Sequence, residues 1–139
     1  MSDRPPLTAH RHADLTKHVD ERAIASAIAD AEKRTSGTIH VSIAKHVRGA
    51  TRAEAVRVFH SLGYATPESK AVMFFVVPSR RELTVLGGAA VHAALGEAYW
   101  QKLVDAVIAE VRTRDLTSGL AAGIADVGRK LAELFPAEG

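Results

Sequence analysis

The sequence contains no cysteine, few aromatic residues and no long apolar run, and each absence excludes a class of protein. Without cysteine, the chain of 139 residues can form no disulfide, no thiol nucleophile and no cysteine-ligated zinc site. The N-terminal residues lack the apolar core of a signal peptide. The longest apolar run, Ala71–Val77, is far shorter than the ~20 residues of a membrane-spanning helix. These features predict a soluble, cytoplasmic protein with no membrane span.

The charge of the chain is small and is not concentrated in one place. The formal net charge is +2, and 24% of the residues are charged. Basic residues are close together only at Arg80–Arg81 and at Arg112 and Arg114, with no aromatic residues interleaved. A nucleic-acid-binding protein usually carries a broader basic surface, so the composition argues against that class.

The length and the 47% hydrophobic content are enough for one core. Residues 1–15 are polar and contain two prolines, which predicts a flexible N-terminal arm. Residues 16–136 then carry periodic apolar patterns throughout. The sequence therefore predicts one domain over 16–136.

The first half of this domain is predicted to be a helix, a strand and a second helix. Thr16 is suited to cap the first helix, and Gly37 to end it in a left-handed conformation. Thr38–Ala44 alternates apolar and polar residues, as a strand with one buried face does. Thr51 and Glu54 have the spacing of a capping box for the second helix.

The second helix is predicted to end at Gly63, and the second half of the domain begins with the sequence's most apolar segment. Ala71–Val77 is apolar at every position, which predicts a central strand covered on both faces. Pro78–Arg81 is a predicted turn, and Glu82–Leu86 a predicted antiparallel strand. A short helix follows around Ala89–Ala94. Two long helices with continuous apolar stripes come last, at Trp100, Leu103, Val104, Val107, Ile108 and Val111, and at Leu116, Leu120, Ile124, Val127, Leu131 and Leu134.

This order of elements predicts an α/β fold. A small sheet, mixed but mainly parallel and with a hairpin at its edge, would lie between helical layers in a three-layer α/β/α sandwich. Gly119 and Gly123 in the last helix predict close packing against a neighbouring helix.

Several segments, in this order, resemble the TPM domain family over roughly residues 14–136. The family is named from a thylakoid phosphatase-like protein, a photosystem II repair factor and a receptor-associated membrane protein. The segments that carry the resemblance are Arg34–Ile39, Phe59–Gly63, Arg80–Gly87, Val91-His92, Gly96, Tyr99-Trp100, Gly119-Leu120, Val127-Gly128 and Leu134–Pro136. The resemblance implies an α/β/α sandwich, in agreement with the periodicity.

The resemblance implies several different activities. Some members are similar to acid phosphatases, some bind a divalent metal such as calcium, and many are tethered to membranes and assist other protein complexes. This sequence departs from the family in having neither a signal peptide nor a membrane span. It also has Gly88 where related short members often carry an acid.

The candidate site is the edge at which the two parallel strands end, because ligands of open α/β sheets favour that edge. The residues expected there are Lys45, His46, Arg48, Ser79, Arg80 and Arg81. They are suited to bind a small anion. With no Asp or Glu expected at the edge, the sequence predicts no metal site, although the resemblance implies that some members bind a divalent metal.

His92 is a secondary candidate, because it falls at a family-like position in the turn and helix after Gly87-Gly88. The predicted hairpin places it at the opposite end of the sheet from Lys45 and Arg80, which excludes a catalytic pair. The alternative is a structural histidine on the helix surface or partly buried. His10, His12 and His18 lie in the arm, and His40 and His60 are expected to serve packing or solvent contact.

Other catalytic motifs are absent from the sequence, which shows no HExxH, P-loop, GxSxG, EF-hand loop or dinucleotide-binding fingerprint. The leading hypothesis is a non-catalytic or regulatory binding module for a protein partner or a small anion, with no cofactor. The alternative is an acid-phosphatase-like hydrolase, with Lys45, Arg48 and Arg80 holding the phosphate and His46 as general acid. A third hypothesis is a peripherally bound helper of a membrane complex.

Overall fold

The computed structural model describes residues 7–8 and 19–138. Within them, the elements in chain order are β1 (Leu7–Thr8), α1 (Glu21–Glu32), β2 (Thr38–Ile43), α2 (Thr51–Ser61), β3 (Ala71–Val77), β4 (Glu82–Gly87), α3 (Ala89–Leu95), α4 (Glu97–Thr113) and α5 (Leu116–Leu134). A single 3₁₀ turn at Pro78–Arg80 joins β3 to β4. Thr16 and the histidines of the N-terminal arm lie outside the described residues.

The strands form one sheet in the order β1-β4-β3-β2. β2 and β3 are parallel, whereas β4 runs antiparallel to β3 as the second arm of a hairpin. These pairings confirm the predicted parallel pair and the predicted hairpin. The sheet is nevertheless less parallel than expected, because parallel pairing is confined to β2 and β3. Leu7–Thr8 pairs antiparallel with β4, a pairing that the sequence did not indicate.

β3 divides the core into two parts, because successive side chains of a strand point to opposite faces. All seven of its residues are buried. Val72, Phe74 and Val76 belong to the larger cluster, which includes buried residues of α1, α4 and α5. Met73 and Phe75 belong to a smaller cluster with Ala55 and Phe59 of α2. The predicted three-layer α/β/α sandwich is therefore confirmed, with α1, α4 and α5 on one face and α2 on the other. The short helix α3 also contributes a residue, Val91, to the larger cluster.

The two long helices bury the predicted stripes. Trp100 begins the stripe of α4 and is completely buried, as a core anchor should be, and Leu120 and Ile124 are the centre of the stripe of α5. Leu134 is an exception, with 38% of its surface exposed. A Cβ on Gly123 would lie only 2.6 Å from the Val107 side chain, which confirms the close packing predicted for this helix.

The first helix begins and ends differently from the prediction. Asp20 caps α1 by accepting hydrogen bonds from the N–H groups of Arg22 and Ala23, each 3.1 Å long. At the other end, Gly37 does not adopt a left-handed conformation. A Cβ there would lie 2.9 Å from the Lys70 carbonyl oxygen, so the glycine permits a close approach of two chain segments.

None of the helices in residues 19–138 combines the length and the hydrophobicity that are needed to cross a lipid bilayer.

Candidate functional site

The loops after β2 and β3 lie side by side, because the carboxyl ends of parallel strands meet at one edge of the sheet. We call this edge the rim, defined as residues 44–51 and 78–82. The Ser79 hydroxyl donates a long hydrogen bond of 3.4 Å to the Lys45 carbonyl, which joins the two loops. The geometry thus brings together the two sets of residues that the sequence placed at this edge.

Arg80 holds the loop between β2 and α2 in place. Its Nη2 donates to the Val47 carbonyl at 2.6 Å, and its Nη1 donates to the Gly49 carbonyl at 2.5 Å. Nη1 also donates to the Thr51 hydroxyl at 3.1 Å. Backbone carbonyls are therefore the partners of the guanidinium that the sequence assigned to an anion.

The rim contains a carboxylate, contrary to the expectation of no acid there. The Thr51 hydroxyl donates to the carboxylate of Glu82, the first residue of β4, and accepts from Arg80. Arg80, Thr51 and Glu82 thus form a continuous chain of hydrogen bonds across the rim. Pairing Val77 with Glu82 across the hairpin is what brings this carboxylate to the edge.

The capping box predicted for Thr51 and Glu54 is wrong. The N-cap residue of α2 is Ala50, which places Thr51 inside the first turn and leaves the helix without a side-chain cap. Glu54 instead pairs with Arg57 on the same helix, and its pKa is lowered by the hydrogen bond from that guanidinium. The N-cap residue of α2 therefore supplies no side-chain oxygen to the first turn of the helix, which begins at the rim.

Four basic side chains of the rim are exposed, and none makes a side-chain hydrogen bond or ion pair within the part of the chain that the structure describes. These residues are Lys45, His46, Arg48 and Arg81. Arg81 stands at a left-handed φ of 56°, at the end of the 3₁₀ turn. Their positive charge and the uncapped start of α2 can attract an anion. The rim side chains whose types can act as nucleophiles are the hydroxyls of Ser79 and Thr51, the imidazole of His46, the amine of Lys45 and the carboxylate of Glu82.

The resemblance implies that some relatives bind a divalent cation. Calcium and magnesium prefer several oxygen ligands, most often carboxylates. Among the described residues, no three His, Asp or Glu side chains are close enough together to hold a metal ion. At the rim, Glu82 accepts from Thr51 and is surrounded by basic residues, so the donor set does not fit such an ion.

The other end of the sheet carries His92, on α3 directly after β4. Gly87 at the end of β4 pairs with Val72 near the start of β3, whereas the rim follows Val77. The seven residues of β3 separate the two ends by roughly 20 Å. The prediction that His92 cannot form a catalytic pair with Lys45 or Arg80 is therefore confirmed. We call the region formed by the end of β4, α3 and the loop 65–67 the α3 end.

The His92 ring stacks on Trp100, with 6.4 Å between ring centroids and 20° between ring planes. His92 Nδ1 and Trp100 Nε1 are both buried and have no hydrogen-bond partner. Within residues 19–138, these two atoms are the buried side-chain nitrogens or oxygens that lack a hydrogen-bond partner. The family-like position of His92 indicated this residue, but no sequence signal indicated that its environment would leave two nitrogens unpaired.

A pocket of about 400 Å³ opens beside His92. Its walls come from the end of α2, the connection from α2 to β3, and α3, and they include Phe59, Thr66 and Pro67. The sequence analysis assigned none of these residues to a site. The connecting loop 65–67 has no periodicity, so only the folded chain shows that it faces α3.

Two further contacts shape the α3 end. A Cβ on Gly88 would lie 2.6 Å from the Ser69 carbonyl oxygen and closer still to its hydroxyl, so an acidic side chain at this position would displace that loop. The Tyr99 hydroxyl donates to the Asp126 carboxylate at 3.1 Å. Burial raises the pKa of Tyr99 well above its usual value, and the negative charge of Asp126 raises it further.

Comparison with known proteins supports one family. The family model of the TPM domain matches residues 11–130. The NMR structure of the BA42 protein from the psychrophilic bacterium Bizionia argentinensis is similar to this fold, with a TM-score of 0.77 and 27% sequence identity over 88% of this chain and 87% of that one. No curated protein matches the chain. Since the family model covers most of the sequence, this chain belongs to the TPM domain family.

Proposed function

We propose that this TPM domain is a non-catalytic binding module that recognises an anionic group at the rim. The group is a phosphate or a carboxylate, carried either by a small molecule or by a partner protein. Lys45, His46, Arg48 and Arg81 attract it, and the uncapped start of α2 adds N–H donors. The cytoplasmic location suggested by the composition remains part of this proposal.

The observation that carries the proposal is the state of Arg80. A phosphatase would direct its central arginine at the substrate, but this guanidinium is hydrogen-bonded to two backbone carbonyls and one hydroxyl. The hydroxyl of Thr51 is in turn bonded to Glu82. The groups closest to a catalytic constellation therefore stabilise the loop, and the exposed hydroxyl of Ser79 donates to the Lys45 carbonyl and not to a general base.

The alternative function is hydrolysis of phosphate monoesters, with His46 as general acid. His46 is exposed on the loop after β2 and has no oriented partner in the described chain, although a general acid is usually held by a second group. A peripheral role at a membrane has less support, since the large exposed apolar side chains, Ile43, Leu62 and Leu134, lie on separate elements.

A turnover assay distinguishes binding from hydrolysis. The purified domain is incubated with p-nitrophenyl phosphate, alone and with Mg²⁺, Ca²⁺ or Mn²⁺. We expect no hydrolysis above the blank in any condition. Turnover that His46→Ala or Arg48→Ala abolishes, and that Lys102→Ala on the exposed face of α4 leaves intact, would establish the hydrolase instead.

A titration tests the binding itself. Inorganic phosphate, acetate and a phosphoserine peptide are added to ¹⁵N-labelled protein, and amide shifts are followed. Shifts should be confined to the rim and should weaken in Lys45→Ala and Arg48→Ala, while Lys102→Ala behaves as the unchanged protein does. A stronger response to the peptide than to free phosphate identifies a protein partner as the source of the anion. No shift at the rim with any of the three would reject the proposal.

A further inference from the structure

The two ring nitrogens of His92 lie in different surroundings. Nδ1 is buried without a partner, on the side of the ring that packs into the protein. Nε2 also makes no hydrogen bond, but it is not among the buried unpaired atoms and is the nitrogen that remains accessible. The residue lines the pocket of the α3 end.

These surroundings favour one tautomer of the neutral ring. A proton on Nδ1 would be a buried donor without an acceptor, which proteins rarely tolerate. With the proton on Nε2, the buried nitrogen is only an unused acceptor, and the accessible nitrogen becomes a donor. His92 therefore offers an N–H group at the edge of the pocket.

The rest of the pocket is apolar and uncharged. Phe59 contributes an aromatic ring, Pro67 and three alanines contribute aliphatic surface, and Thr66 contributes a short side chain. Among residues 19–138, the lining includes no Lys, Arg, Asp or Glu. The volume of about 400 Å³ lies within the range of small-molecule sites, which combine apolar walls with a few polar groups.

We propose that this pocket binds a small aromatic molecule through a hydrogen-bond acceptor, with Nε2–H of His92 as donor and Phe59 and Pro67 as the apolar wall. A carboxylate is the strongest acceptor of this kind, because a charged acceptor strengthens the hydrogen bond. The site lies at the opposite end of β3 from the rim and does not depend on the function proposed there.

Three probes that share a benzene ring show whether binding to the pocket requires a hydrogen-bond acceptor in addition to an apolar ring. Benzoate and benzamide each present an acceptor, whereas benzylammonium presents only donors. Trp100 is the only tryptophan of the chain and stacks on His92, so its fluorescence reports binding beside that ring. Amide shifts at α3 and at the loop 65–67 provide a second readout. We expect benzoate to bind most tightly, benzamide more weakly, and benzylammonium not measurably.

A matched pair of variants tests the location. Ala93 lines the pocket, and Ala94 is exposed on the same helix outside it. Ala93→Leu should fill part of the pocket and weaken benzoate binding by about tenfold or more. Ala94→Leu should leave the affinity unchanged. If both variants bind benzoate equally well, or if benzylammonium binds as tightly as benzoate, the proposal is wrong.

His92→Phe tests the donor. Phenylalanine keeps an aromatic ring against Trp100 and removes both nitrogens, so the affinity for benzoate should fall by about tenfold, as expected for a hydrogen bond to a charged group. Toluene, which has no acceptor, should bind the variant and the unchanged protein alike. An unchanged benzoate affinity in a folded His92→Phe protein would overturn the role of the histidine. If this variant does not fold, the variants Ala93→Leu and Ala94→Leu still test the location of the binding site.

Discussion

The two ends of the sheet satisfy their polar groups in opposite ways. At the rim, Arg80, Thr51 and Glu82 bond to one another and to backbone carbonyls, so the polar groups are used to hold loops. At the α3 end, His92 and Trp100 each keep a buried nitrogen without a partner. Arg80, an arginine after a parallel strand and therefore a residue type suggestive of a ligand site, donates three hydrogen bonds to the protein itself. His92, on the short helix α3, makes no side-chain hydrogen bond among the described residues.

The difference follows from what each end has to support. The loop between β2 and α2 lies outside regular secondary structure, so its carbonyls have no partners in a helix or a strand ladder. An arginine supplies several donors in one planar group. At the α3 end, the carbonyls of Ala71 and Ser69 accept from the N–H groups of Gly88 and Ala90. The side chains of His92 and Trp100 take no part in these bonds.

The largest effect is expected from Gly87→Ala at the α3 end. The added Cβ would lie 2.5 Å from Cζ2 of the fully buried Trp100 ring. Overpacking of this kind should lower the free energy of unfolding by about 2–3 kcal/mol, measured by urea denaturation. In a Trp100→Phe background the same substitution should cost less, because the smaller ring leaves room. An equal cost in both backgrounds would show that the ring is not what restricts position 87.

Arg80→Lys tests whether the rim depends on the shape of the arginine. Lysine keeps the charge but cannot reach the Val47 and Gly49 carbonyls together, so the free energy of unfolding should fall by about 1–2 kcal/mol. Arg81→Lys is the matched control and should change it little, since the side chain of Arg81 is exposed. Equal effects of the two variants would mean that Arg80 does not hold the loop.

Tyr99→Phe tests the buried hydroxyl at the α3 end. Its loss should lower the free energy of unfolding by about 1 kcal/mol at neutral pH, because the hydrogen bond to Asp126 disappears. The pKa of Tyr99 is raised in the folded state, so the unfolded state loses this proton first, and stability should fall as the pH rises above about 10.

The alkaline fall should be weaker in Tyr99→Phe than in Tyr64→Phe, although the pKa of Tyr64 is also raised by burial. Tyr64 is the less buried of the two tyrosines, so it contributes less to the loss of stability at alkaline pH. Unfolding free energies measured from neutral pH to about pH 11 test this order. The reverse order would show that Tyr99 is not the group that titrates.

Arg81→Gly should have the smallest effect and the opposite sign. Arg81 has a φ of 56°, which glycine adopts without a steric penalty. Relief of this strain, reduced by the greater entropy of glycine in the unfolded chain, should raise the free energy of unfolding by about 0.5 kcal/mol. Arg81→Ala should give no increase. A loss of stability in Arg81→Gly would indicate that the arginine side chain supports the rim.

Sequence patterns predicted the elements whose residues repeat with a clear period. The uninterrupted apolar run Ala71–Val77 identified the central strand, and the stripes from Trp100 and Leu116 identified the last two helices. Helix starts were predicted less well. A capping box depends on which residue is the N-cap, and the N-cap of α2 is Ala50. The local pattern at Thr51 was misleading because α2 begins next to the loop that Arg80 holds.

The candidate residues at the rim were predicted as a group, because parallel strands bring their following loops to one edge. Their contacts could not be predicted. Glu82 directly follows the predicted turn, so the predicted hairpin already places it near this edge, but its hydrogen bond with Thr51 depends on where α2 begins. The pocket beside His92 was missed for the same reason, since Phe59 and Pro67 meet α3 only in the folded chain.

The sequence by itself determined the layers of this protein, since hydrophobic periodicity dictates which faces of each strand and helix must be buried. Only the tertiary structure decided which polar groups remain open to a ligand. Burial is a property of each element's own pattern, whereas the presence of a hydrogen-bond partner for Arg80 and its absence for His92 Nδ1 depend on where distant segments come to lie. A hydrogen bond requires atoms within about 3 Å of one another, and no local pattern fixes that distance across the fold.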